Sequence, residues 1–275
     1  NIMMLLKKIK FILILLFFYQ TPVFSKSNSF KKIDSKNLSN YFSGIIAFGN
    51  KKNSEALEFF DSSKILINKH DPYLKRYVSS LVFENKISKA ISLIKQNKGK
   101  DNTRFFDAYL LLLIDSLKND DFDSAYKYIS KASNFAKQDR FDEAILESLN
   151  QYVYLFKEKK FLDKKKNFGK LSIISETFQR CYLGDSKTDS YYDNLINDPE
   201  SDFTRYIYFY LSHLIENNKL EKARNLVKDV EFINTTLLLS QGKSWIESEN
   251  FEKFTQIFSC QNHNDLIAEF LFLIS

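Results

Sequence analysis

Glycine and proline are scarce, at six and three in 275 residues. Strand-rich folds place these residues at every turn, so their shortage excludes such folds and favours helices. There are only three histidines, His70, His213 and His263. No two stand at the i, i+3 or i, i+4 spacing of a helical metal site, so no metal is expected and each is read as a hydrogen-bonded surface residue. No paired carboxylates, Ser-His-Asp set or glycine-rich loop can be assembled, so no catalytic site and no cofactor are expected. Gln241-Gly242-Lys243-Ser244 ends like a phosphate loop. Leu237, however, stands where that loop needs its first glycine, and Leu237 to Ser240 reads as helix where the motif needs a strand.

Strong net charge is also missing. The formal value is +6, and it falls to +3 if Lys7, Lys8 and Lys10 leave with a processed leader. That is too mild for a nucleic-acid partner. Signs alternate along the chain, as in Glu55, Glu58, Asp61 and Lys64, which describes solvated helix faces. The sharpest charge feature is the cluster Lys157, Lys159, Lys160, Lys164, Lys165, Lys166 and Lys170. It reads either as a solvated turn or as a contact for anionic lipid headgroups or an acidic partner.

What is present is apolar periodicity, with 44% hydrophobic residues. Residues 1–25 read as a signal peptide: a basic start, the apolar run Phe11 to Tyr19, and Val23-Phe24-Ser25 before cleavage. A run of nine falls well short of the roughly 20 apolar residues a spanning anchor needs, which favours cleavage. Asn1-Ile2 before Met3-Met4 point to a conceptual or truncated product. Residues 26–37 read as a flexible polar spacer.

From Leu38 onward a unit recurs. Leu38 to Pro72 holds two short helical runs around the polar break Gly49 to Asn53, with Gly44 in the first run and Ala56 opening the second. Ala56, Ala90 and Ala125 lie 34 and 35 residues apart. Each follows a polar turn and precedes a large apolar residue, Phe60, Ile94 or Ile129. A small residue there lets paired helices approach closely. Repetition on this scale marks stacked helical units.

The pattern resembles the tetratricopeptide repeat through Gly44, Ala56, Phe60 and Pro72; Tyr109, Asp121-Phe122, Ala125 and Ala132; Asn217 to Ala223; and Gly242, Trp245, Asn250-Phe251 and Phe254. Phe254 replaces the usual alanine and is expected to tilt or separate its helix pair. Middle units are weaker, with a first helix through Tyr152 and Phe156, a partner over about Leu162 to Gly169, and a pair at Leu171 to Leu183 and Asp189 to Ile196. The order of units also resembles exported repeat proteins of alphaproteobacteria. The resemblance implies an all-α, right-handed solenoid of about seven hairpins over residues 38–275. The apolar run Asp265 to Ile274 at its end points to truncation or to a covering partner.

In such a row Cys181 and Cys260 would lie about two hairpins apart. Helix axes pack about 8–10 Å apart and a disulfide needs Cα atoms within about 7 Å, so two unpaired, buried thiols are expected, although an oxidising compartment permits a bridge. The resemblance further implies a concave groove lined by Tyr41, Ile45, Phe48, Lys75, Ser79, Val82, Leu110, Ile114, Arg205, Tyr208 and Ser212, holding a protein or peptide ligand. The functional expectation is a non-catalytic binding scaffold of the periplasm, in possible contact with the membrane surface. The alternative is the recruiting arm of an envelope enzyme whose catalytic domain lies beyond Ser275.

Overall fold

The computed structural model describes residues 34–136, 139–199, 202, 204–229 and 237–274. The signal peptide and most of the spacer lie outside the described residues. Among the described residues every regular element is helical. The helices are α1 (Ser35–Gly49), α2 (Asn53–Ser62), α3 (Asp71–Phe83), α4 (Ile87–Gln96), α5 (Phe106–Lys118), α6 (Phe122–Ala132), α7 (Arg140–Glu158), α8 (Lys170–Leu183), α9 (Thr188–Ile196), α10 (Arg205–Glu216), α11 (Leu220–Asp229), α12 (Leu237–Glu247), α13 (Glu252–Ile257) and α14 (His263–Leu273). Two compact units result, one ending at Ile87 and the other beginning at Ser88.

One turn recurs through the chain. At Lys51, Asn85, Asp120, Gly184, Asn218 and Glu249 the backbone enters the left-handed region, with φ between 56° and 62°. The next residue's N–H then donates to the carbonyl five residues back: Lys52 to Ala47, Lys86 to Leu81, Asp121 to Ser116, Asp185 to Arg180, Lys219 to Leu214 and Asn250 to Trp245. This 6→1 bond satisfies a carbonyl that the helix end would otherwise orphan. Starts are fixed locally as well. Asp34, Asp121, Asp139 and Asn262 each accept a backbone N–H from the first turn of the helix they cap. Pro72 sits in the first turn of α3, where its missing N–H is harmless. The Asp34 cap starts α1 at Ser35, so Ser35 to Asn37 belong to a helix and not to the spacer.

In the first unit α1 and α2 form a hairpin whose closest approach is Gly44 against Phe60. A Cβ on Gly44 would stand 2.9 Å from the Phe60 ring. Phe60 is fully buried, as is Ala56, and its ring lies 6.0 Å from Tyr41 and 6.1 Å from Tyr73. The Tyr73 hydroxyl donates to the Phe60 carbonyl. A 3-10 turn over Lys64–Asn68 leads into α3.

The second unit contains hairpins α5/α6, α8/α9 and α10/α11, with α12 and α13 packed on α10. Ala90, Ala125 and Ala223 are all buried. Gly242 of α12 repeats the small-to-large fit of Gly44. A Cβ there would meet Tyr208 at 3.3 Å and Phe254 at 3.5 Å, so Phe254 takes the alanine position opposite a residue without a side chain. α10 is buried from Tyr206 to Ile215 without a break, as a helix apolar on every face should be.

Two features differ from the expected row. The partner helix expected over Leu162 to Gly169 does not form after α7. α7 itself runs for 19 residues, and Leu162 to Gly169 form an irregular segment, because Asp163 to Lys166 offer no apolar stripe to bury. α14 then folds back within the unit. The His263 ring nitrogen Nε2 lies 3.2 Å from the Leu117 carbonyl, and Phe270 packs on Tyr152 at 5.8 Å. Glu269 pairs with Arg205, and α14 also touches α8.

Candidate functional site

The return of α14 creates two places where chemistry converges, both in the second unit. The first is a groove of about 480 Å³. Arg205 from α10 and Glu269 from α14 meet on its wall in a bidentate pair, with Nε to Oε1 at 2.9 Å and Nη2 to Oε2 at 2.7 Å. Glu269 is 5% exposed, and the Arg205 guanidinium lies 4.1 Å above the Phe272 ring and 5.3 Å from Phe209. Around this pair Leu237, Ile257 and Phe272 stand 75%, 50% and 57% exposed. The lining thus combines solvent-facing apolar surface with a fixed charge pair.

The residues expected to line a groove divide. Arg205 and Tyr208 line this one, although Tyr208 is buried and stacks on Phe254 at 5.4 Å. Ser212 is buried and donates its hydroxyl to the Phe258 carbonyl at 2.9 Å. Leu110 and Ile114 are half-buried on α5. In the first unit Tyr41 is core, Lys75 is exposed, and Ile45, Phe48, Ser79 and Val82 are half-buried, with the Phe48 ring 5.5 Å from Phe83.

The second place is a buried cluster around sulfur. Cys181 of α8 and Cys260, between α13 and α14, form a disulfide with Cα atoms 5.6 Å apart. The expectation of two free thiols is therefore corrected. It assumed that each hairpin touches only its neighbours, whereas the backward fold of the C-terminal segment carries Cys260 to α8. The Gln261 side chain anchors the same segment, donating to the Cys181 carbonyl at 3.2 Å. His213 of α10 lies against this bridge and is 5% exposed, which corrects its expected surface position. Its Nδ1 is 3.3 Å from Cys181 Sγ. Its Nε2 is 3.0 Å from Asp189 Oδ1 on α9.

Charge sets the state of this cluster. Burial pulls the His213 imidazole below its ordinary value of 6.5, against the opposing pull of Asp189. Burial also works against ionisation of Asp189, but the Lys219 ammonium at 2.7 Å, the His213 hydrogen bond and Lys222 hold its carboxyl below the usual range. Ionised Asp189 can only accept, so Nε2 carries the imidazole proton and the Nδ1 lone pair faces sulfur. The Asn217 amide lies 3.3 Å from the same Nδ1. Periodicity alone could not expose this site, because its members sit 24, 32 and 79 residues apart.

The lysine cluster is largely matched inside the fold. Lys157 pairs with Asp123 at 2.6 Å, Lys165 with Glu176 at 3.6 Å, Lys166 with Glu143 at 2.5 Å and Lys170 with Asp198 at 2.5 Å. Lys159 meets the Tyr182 hydroxyl. Gln241 to Ser244 lie within α12. No described helix is long and apolar enough to cross a membrane. No family model, no curated protein and no solved structure matches this chain.

Proposed function

We propose that this chain is a non-catalytic binding adaptor, a tetratricopeptide-like right-handed solenoid exported to the periplasm, that holds an apolar polypeptide segment. The groove around Arg205 and Glu269 is the binding site. The observation that carries this reading is the exposure of Leu237, Ile257 and Phe272 beside a fixed, bidentate charge pair. Surface apolar groups gathered at one concavity mark interaction sites. The charge pair, already satisfied, gives orientation without the cost of a lone buried charge. The repeat reading is supported by the shared 6→1 turns after α1, α3, α5, α8, α10 and α12, and by the buried alanines.

A photo-crosslinking side chain at Phe272, with the same group at Phe135 as control, tests the groove. Phe135 is 42% exposed but lies away from the groove lining. Irradiation in envelope extract should give a discrete adduct at position 272 whose attached peptide is an apolar segment, and none at 135. Equal labelling at both positions, or none at 272, would refute the groove. Export is checked separately by sequencing the N-terminus of the secreted form, which should begin at Lys26; a retained leader would refute it.

A further inference from the structure

We propose that the chain, once its disulfide is reduced, holds one zinc ion through Cys181 Sγ, Cys260 Sγ and His213 Nδ1, with Asp189 fixing the imidazole. Four observations support this site. First, the three ligand atoms lie within 4.8 Å of one another, and all three residues are buried. Tetrahedral zinc, with Zn–S of about 2.3 Å and Zn–N of about 2.0 Å, asks for sulfur–nitrogen separations of about 3.5 Å and a sulfur–sulfur separation of about 3.8 Å. The Cys181 to His213 distance is already 3.3 Å. The two sulfurs have to part and Cys260 Sγ has to settle about 3.5 Å from Nδ1, movements that side-chain rotation over a Cα separation of 5.6 Å allows.

Second, the imidazole is arranged as a ligand requires. Its Nε2–H is given to Asp189 at 3.0 Å, and Asp189 is itself held by Lys219 at 2.7 Å. A carboxylate behind a histidine in this way fixes the tautomer that puts a lone pair on the other nitrogen; the Asn217 amide, 3.3 Å from that Nδ1, would give way to the metal. Third, two thiolates and a dication sum to zero, so the buried site carries no uncompensated charge; a monovalent ion would leave one. Fourth, the ligands come from α8, α10 and the segment before α14. The ion would therefore join the two elements that the disulfide joins and add α10 to them. Three protein ligands leave a fourth position, with the Tyr192 hydroxyl 3.7 Å from Cys260 Sγ.

The chemistry balances. A phosphine and one water convert the disulfide to two thiols and a phosphine oxide. Zinc then displaces the two thiol protons and accepts a lone pair from Nδ1.

The test uses the full chain, reduced anaerobically with a phosphine and titrated with zinc against a chromophoric chelator, with helical circular dichroism recorded throughout. Expected are one tight site per folded chain, sulfur-to-metal charge transfer when cobalt replaces zinc, and a 10- to 100-fold weakening in Asp189→Asn. His213→Gln should weaken binding at least as much. The proposal is overturned if the reduced chain binds zinc no better than a Cys181→Ser/Cys260→Ser double variant, or if neither His213→Gln nor Asp189→Asn changes affinity. Binding confined to chain that has lost its helical signal would overturn it as well.

Discussion

Replacing Gly44 with alanine sets two effects of opposite sign against each other. Helix propensity alone favours the change by about 1 kcal/mol, because alanine loses less backbone freedom than glycine. Packing opposes it. The new Cβ would stand 2.9 Å from Phe60 Cε1 and 3.1 Å from Cδ1 and Cζ. The ring is fully buried and bounded by Tyr41 and Tyr73, so it has nowhere to move. Overpacking of this kind costs about 1–3 kcal/mol. The net expectation for Gly44→Ala is a loss of about 1 kcal/mol, read by native-state hydrogen exchange in peptides from α1 and α2. In a Phe60→Leu background the obstacle is gone and the same change should be neutral or stabilising, with a coupling of about 1–3 kcal/mol across the double-mutant cycle. A Gly44→Ala chain that gains the full propensity term with Phe60 in place would refute the close approach of α1 and α2.

The left-handed turns give a second expectation. Lys51→Gly and Glu249→Gly relieve φ values of 60° and 56° and should each stabilise by about 0.5–1 kcal/mol in urea unfolding, while Lys52→Gly, at φ −89°, should not. The disulfide closes a loop of 79 residues, so reducing it without metal should lower the stability of the second unit by about 4 kcal/mol, seen as lost exchange protection in α8 and α14. His213 is buried with its proton affinity depressed. The unfolded chain therefore binds more protons as pH falls below about 6.5, and stability should decline there. A His213→Asn chain should show a shallower decline in a pH series of urea midpoints; an identical slope would mean that His213 does not titrate as its burial requires.

The helices were legible in sequence because small and large residues alternate at a helical period. Spacing marks Ala56, Ala90 and Ala125 as close-approach residues, and all three are buried. Turn residues were only partly legible. Asn85, Asn218 and Gly184 suit a left-handed turn, but Lys51 and Glu249 adopt it because the helices on either side require it. The face of α10 was not legible. A period of 3.6 assigns an outward side to any helix, yet from Tyr206 to Ile215 this one has none, so Tyr208 and Ser212 are core. The sulfur cluster is hidden from the sequence for a topological reason: nothing local around Cys260 tells that the chain reverses over α8.

That reversal underlies both sites, since α14 supplies Glu269 and Phe272 to the groove and the turn before it supplies Cys260 to the cluster. The most direct test is peptide mapping by mass spectrometry of the full chain, purified in air without reductant and alkylated before digestion. One cross-linked species joining the peptides that contain Cys181 and Cys260 is expected. Recovery of both cysteines as alkylated free thiols would contradict it.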